Sequence, residues 1–314
     1  MWKFLLNYPW KFYLKTFFRT PQIVAGAMLV KEDRVSILSP IHGRLSFRAG
    51  LRDLEGAPLL NSACRPSPDT AFRSGVLSGR GVNEAFHWVF VIDTPDAQIH
   101  QVDADRYGMG KELTPARVSH LVPNATRVSM SYWEILNARL EPNGPDAAPV
   151  SVLFGLPKRV ARNLEDWANY LGSGVAAIIP LPLALLEVSI SLSPTGIQIV
   201  LTTNHTVIAL TEDKEIKLIT RIEPVQKLGI RRIATTLETL GEAFPEISKS
   251  PARLISLDLS GSDLTNCAHA VSANAMPTLP EELHEGSEMI SAVSSSPIEA
   301  YTLYRALRLV SSLG

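Results

Sequence analysis

Cysteine is nearly missing from this chain: Cys64 and Cys267 are the only two in 314 residues. Two thiols so far apart in sequence cannot frame a disulfide-stapled fold or supply a zinc cluster, and they fit a reducing compartment. Net charge is equally scarce, at −1, which excludes a nucleic-acid binder that relies on overall basicity. Long apolar runs are missing as well. The longest candidate, "GVAAIIPLPLALLEVSI", is broken by Pro180 and Pro182, which suit a strand, a turn and a helix better than a membrane span. The histidines include no H-x-x-x-H pair and none beside a cysteine pair, so no metal site is expected. Ser260-Gly261-Ser262 lacks the G-x-S-x-G context of a hydrolase elbow. With 46% apolar and 19% charged residues, what remains is an ordinary globular composition, long enough for two modest domains.

The aromatic residues are unevenly placed. Trp2, Phe4, Tyr8, Trp10, Phe12, Tyr13, Phe17 and Phe18 fall within residues 1–20, together with Lys3, Lys11, Lys15 and Arg19 and no acid. One reading is an interfacial anchor or docking strip: Trp2, Phe4 and Trp10 sit at the headgroup level, and Lys11 and Lys15 are drawn to anionic lipid or a membrane partner. The other is a helix that packs its aromatics on the protein's own core with lysines facing water. Both readings stay open.

From Pro21 onward the patterning turns to strands. "QIVAGAMLV", "RVSIL" and "GRLSFRAGL" form a meander, and "FHWVFVIDTP" is a buried strand ending at a proline. Residues 56–84 are rich in Gly, Ser and Pro and read mostly as loop, whereas "DADRYGMGKELTPARVSHLVP" ends as a helix. "TRVSMSYWEIL" and "VSVLFGLP" are strands; "KRVARNLEDWANYLGSG" is an amphipathic helix stopped by glycines. A strand "VAAIIPL" then meets a helix starting at "PLALLEVSISL". "GIQIVLTTNHTVIALTEDKEIKLITRIE" reads as three successive strands, "KLGIRRIATTLETLGEAF" as a helix and "ARLISLDLSG" as a strand. The terminal helix, 297–313, starts at Ser296-Pro297 with a Glu at its third position. Trp88 and Trp133 fall on strand patterns and are expected in the core. Lys227, Arg231 and Arg232 lie close together on a helix, as a solvated face or a partner patch. Strands alternating with helices imply an α/β protein of mixed sheets flanked by helices.

The order of these elements from Phe86 onward resembles the actin-like ATPase superfamily. Within it, the resemblance is to the PilM and GspL type of type IV pilus and type II secretion assembly proteins. It rests on "FVIDTP", "VSHLVPNA", "MSYWEIL", "VSVLFGLPKRVARNLEDWANYLGSGVAAIIPLPLALLE", "IQIVLTTNHTVIALTEDKEIKLITR", "LISLDLSGSDLTN" and "EAYTLYRALRLV". It implies a bilobal actin-like (RNase H-like) fold: an N-terminal segment 1–20, an abbreviated first lobe 21–150, and a second lobe 151–314 whose terminal helix packs back on the first.

Actin-like ATPases carry in two phosphate loops an Asp at the end of a strand, then Gly, then hydroxyl residues. Asp holds magnesium or its water, Gly lets backbone N–H groups close on phosphate, and Ser or Thr donates hydrogen bonds. Here Thr206 falls at the hairpin Thr of the second loop, which places Val200 at the Asp and Thr202 at the Gly. A looser alignment of the first loop places Ala27 near the Asp and Leu29 near the Gly. Both acids are missing, so nothing positions a nucleophilic water and no hydrolysis is expected. Thr202, Thr203, Asn204 and Thr206 could still donate to phosphates, and Gly261 and Ser262 could let the backbone approach adenine. That leaves ATP as an open ligand, with ordinary strand threonines and a turn glycine as the competing reading.

The resemblance therefore implies a non-catalytic, cytoplasmic scaffold peripheral to the inner membrane. It would bind the cytoplasmic tail of a bitopic inner-membrane assembly protein, with a motor ATPase as a further partner. The GspL type continues into a transmembrane helix and periplasmic domain; this sequence shows neither, and is read as closer to PilM. The alternative is an ATP-binding actin-like ATPase or sugar-kinase relative with an unorthodox site.

Overall fold

The computed structural model describes residues 23–31, 35–41, 44–51, 86–103, 130–136, 150–170, 173–213, 215–222, 229–246, 249, 252–259, 261–275 and 297–311. The aromatic segment 1–20, with Trp2, Phe4, Trp10, Lys11 and Lys15, lies outside them, as do Lys227 and the side chain of Trp133. By their contacts the described residues of 14–94, 159–184 and 278–314 form one unit, and those of 95–158 and 185–277 form the other. The chain thus alternates between units. The strand after "LGSG" and the terminal helix group with the residues assigned to the first lobe.

In the first of these units, β1 (Ile23–Val30), β2 (Val35–Ile41) and β3 (Arg44–Leu51) are an antiparallel meander. β4 (Phe86–Ile92) lies parallel to β1, and β8 (Gly174–Pro180) parallel to β4, giving the order β3-β2-β1-β4-β8. Strands β1 and β4 read as near-continuous apolar runs because the sheet is covered on both faces; Met28, Leu29, Trp88 and Phe90 are fully buried. Helix α1 (Lys158–Tyr170) buries Val160, Ala161, Leu164, Trp167 and Ala168, a stripe at the 3.6-residue period. Helix α5 (Pro297–Ser311) begins with Pro297, whose missing N–H no helix needs there, and packs mainly against β1 through Ile298, Tyr301 and Leu303 among others.

His87 on β4 sits opposite Gly174 on β8. A Cβ on Gly174 would come within 2.6 Å of the His87 ring, so the glycine makes room for an imidazole held against the sheet. Burial pushes the His87 imidazole below its ordinary value, and its Nδ1 has no hydrogen-bond partner. The folded protein therefore favours neutral His87. Once pH falls below about 6.5 the unfolded chain binds more protons than the folded one, so stability drops with falling pH and levels off only below the folded value. Urea midpoints measured from pH 7.5 to 5 should show this slope, and His87→Phe should remove that part of it.

The other unit repeats the plan. β9 (Gly196–Leu201), β10 (Thr206–Glu212) and β11 (Glu215–Ile222) are an antiparallel meander. β12 (Ala252–Ser256) lies parallel to β9, and β13 (Ala273–Ala275) parallel to β12. The order β11-β10-β9-β12-β13 matches the first sheet strand for strand, in direction as well as position. Helices α3 (Gly229–Ala243) and α4 (Gly261–Ala270) cover one face. There Ile233, Leu240, Leu264 and Cys267 close on Ile197, Ile199 and Leu201, and burial pushes the Cys267 thiol up.

The odd residues of β9 belong to that core, so Gln198 and Val200 face the other way. On that side Gln198 reaches Ser189 of α2 (Leu181–Leu192), a helix that is apolar almost all round and accordingly buried almost all round. The same unit holds a three-stranded antiparallel sheet, β5 (Gln98–Asp103), β7 (Val150–Pro157) and β6 (Met130–Leu136), in the order β5-β7-β6. Arg221 of β11 donates to the Ala97 carbonyl beside it, at 3.2 Å.

The sequence reading missed three elements. β5 and β13 are short and lack a clean alternation. α4 starts where a strand run and a turn are expected: β12 stops at Ser256, and a bend at 257–259 brings the chain to a helix opening at Gly261.

Candidate functional site

Ligands of α/β sheets gather at the carboxyl ends of parallel strands, where the connecting turns leave the sheet. In the second unit β9 and β12 are such a pair, with Leu201 opposite Ser256. The hairpin turn 202–205 and the bend 257–259 therefore emerge side by side from one end of the sheet. This brings together the region of every nucleotide-contact residue read from the sequence.

The hairpin is tight because Leu201 pairs with Thr206, leaving four residues to reverse the chain. The Thr202 N–H donates to the His205 carbonyl at 2.8 Å, and the His205 N–H donates to Thr202 Oγ1 at 3.0 Å. Thr202 is thus buried and consumed in shaping its own turn. Thr203 is exposed at the tip and Asn204 half-buried, both within reach of solvent. Thr206 is fully buried at the start of β10, and its Oγ1 has no partner. Gly261 is the first residue of α4, and Ser262 is exposed beside it on the first helical turn.

One residue at these turns escaped the sequence reading. Asp258 Oδ2 accepts a hydrogen bond from the Thr203 backbone N–H at 2.6 Å, joining the two turns across 55 residues of sequence. Ser256 Oγ accepts from the N–H groups of Asp258 and Leu259 at 3.1 and 3.4 Å, which sets the bend that aims the carboxylate. An acid two residues past a strand that runs parallel to the hairpin strand was the available signal. It was hidden because the parallel pairing of β9 with β12 is not legible in the sequence.

The repeated topology also places the first hairpin. Val30 pairs with Val35 as Leu201 pairs with Thr206, so turns 31–34 and 202–205 have the same length. Leu29 is then the counterpart of Val200 and Lys31 that of Thr202, two residues beyond the alignment through Ala27. Ala27, Leu29 and Val200 are all buried and apolar. At the carboxyl ends of β1 and β4, Lys31, Asp93 and Thr94 are each less than a tenth exposed. The register ends with Val30 opposite Ile92, and the Asp93 N–H donates to the Val30 carbonyl at 3.4 Å.

Outside the hairpin, Arg231, Arg232, Thr235, Thr236 and Thr239 of α3 and Ile222 of β11 line an open cavity of about 580 Å³. Each of the three threonines returns its hydroxyl to the carbonyl four residues back, leaving the arginines as the face's distinctive groups. Among the described residues no helix is long and apolar enough to cross a membrane.

No family model and no curated protein matches the sequence. Solved structures do match in fold. A chain of the PilM–PilN type IV pilus biogenesis complex aligns over 92% of this chain and 99% of its own, at 12% identity and a TM-score of 0.56. The cytoplasmic domain of EpsL, an inner-membrane component of the type II secretion system of Vibrio cholerae, aligns over 90% and 93%, at 9% identity and a TM-score of 0.45. A Bacteroides thetaiotaomicron protein with an actin-like ATPase fold aligns over 88% and 94%, at 9% identity and a TM-score of 0.46. This chain has two sheets of one topology, each flanked by helices, and its likeness in fold to the pilus complex chain makes it an α/β actin-like ATPase fold in a form resembling PilM.

Proposed function

We propose that the chain is a non-catalytic scaffold of a type IV pilus or type II secretion-like assembly platform, working on the cytoplasmic side of the inner membrane. Its partner is the cytoplasmic tail of a bitopic membrane protein, with a motor ATPase as a further contact. The observation that carries the reading is the hairpin itself. Where actin-like ATPases hold a magnesium-binding Asp, Val200 and its counterpart Leu29 are buried apolar residues, and the exposed Thr203 amide is already engaged by Asp258. At those two positions no acid is available to hold magnesium or orient an attacking water. The fold shared with a chain of the PilM–PilN complex supports a partner of that kind.

The purified chain with a fluorescent ATP analogue and magnesium should show no saturable binding. Co-expression with cytoplasmic tails of bitopic membrane proteins encoded beside it should yield a stable complex. Tight magnesium-dependent nucleotide binding that Thr203→Ala abolishes would establish the ATP-binding alternative instead.

A further inference from the structure

We propose that Asp258 is the resident anion of the β9–β10 hairpin, occupying with its carboxylate the backbone N–H that a phosphate oxygen would take. The inference deepens the scaffold reading and rests on it. A hairpin that merely lacked its magnesium ligand would still present the Thr203 amide, exposed at the turn, to any phosphate in solution. In this chain that amide donates instead to Asp258 Oδ2 at 2.6 Å.

A carboxylate replaces a phosphoryl group well in this role. Both offer a negative oxygen to a backbone N–H, and such charge-assisted bonds are short and about twice as strong as neutral ones. The contact is built by the fold rather than by chance at a flexible surface. The parallel register of Leu201 with Ser256 holds the two turns together, and Thr202 and His205 fix the hairpin from within. Ser256 Oγ fixes the opposite bend by taking both the Asp258 and Leu259 amides. The tethered carboxylate has a large effective-concentration advantage over a free anion. Its charge also repels any phosphate that approaches the same amide. Missing acids remove the metal, and Asp258 separately closes the anion position. The site is held in one state whatever the nucleotide concentration.

The test uses the full chain, as wild type, Asp258→Ala and Asp258→Asn, with inorganic phosphate and with ATP in the presence and absence of magnesium. In the wild type the Thr203 amide should be protected from hydrogen exchange. Asp258→Ala should lose that protection and bind phosphate at least about tenfold more tightly than wild type. Asp258→Asn keeps the side-chain shape and an accepting oxygen without the charge, and should fall between them. Equal phosphate affinity in wild type and both variants overturns the inference and leaves the scaffold reading standing. If Asp258→Ala fails to fold, an unprotected Thr203 amide in the wild type, or no gain in Asp258→Asn, overturns it just as well. Magnesium–ATP binding by the wild type would instead overturn the scaffold reading itself.

Discussion

Gln198→Glu should destabilise the second unit by about 3–5 kcal/mol, although it alters neither size nor shape. Gln198 is fully buried on β9, and the two hydrogen bonds its side chain donates depend on its being an amide. Its Oε1 accepts from Ser189 Oγ at 2.6 Å. Its Nε2 donates to the Ser193 carbonyl at 3.0 Å and to Thr211 Oγ1 at 3.3 Å. The Thr211 proton is spent on the Gly196 carbonyl at 3.0 Å, so Oγ1 can only accept from Gln198. A carboxylate would keep the Ser189 bond and set its second oxygen against the two acceptors that now face Nε2. A buried charge without a partner is among the few single changes expected to exceed about 4 kcal/mol. Hydrogen exchange of the β9–β10 peptides should speed up sharply in the variant. Unchanged protection would mean that the network is not what ties α2 to this sheet.

Val200→Asp should cost about as much, roughly 3–5 kcal/mol, and should gain no affinity for magnesium–ATP. The substitution restores the residue type that an active actin-like phosphate loop carries at this position. Val200, however, is fully buried on the same face of β9 as Gln198, two residues along. An Asp there would have to ionise inside the unit, or stay protonated at a large cost in pKa. The measurement pairs a urea midpoint with magnesium–ATP titration of the same sample. A stable variant that bound magnesium–ATP would show a phosphate site one residue from working and would favour the ATP-binding reading.

These two variants mark how far the sequence could be read. The strands and helices of the second half follow from period and punctuation. Gln198 and Thr211 lie in runs whose apolar neighbours fix them as strands, and α1 shows its buried stripe plainly. The resemblance to actin-like ATPases put Val200 where an Asp is expected. That Gln198 is a satisfied hub and not merely a polar interruption depends on Ser189 and Ser193, which reach it only once α2 lies on the sheet. Periodicity says which face a residue uses, but not what packs against that face.

By itself the sequence determined the α/β class, the hairpin around Thr202 to Thr206 and the order of elements that resembles PilM. Those are local properties, written in residue type and short-range spacing. The tertiary structure decided the rest. It shows two sheets of identical topology where no sequence repeat is visible, because a strand order can persist on buried apolar positions that many residues satisfy. It makes Leu29 of the first sheet the counterpart of Val200 in the second, since only strand register fixes the turn. It also sets Asp258 against Thr203, a contact that exists because β9 and β12 run parallel side by side. Parallel pairing joins segments far apart in the chain, and no short-range pattern records which strands will meet.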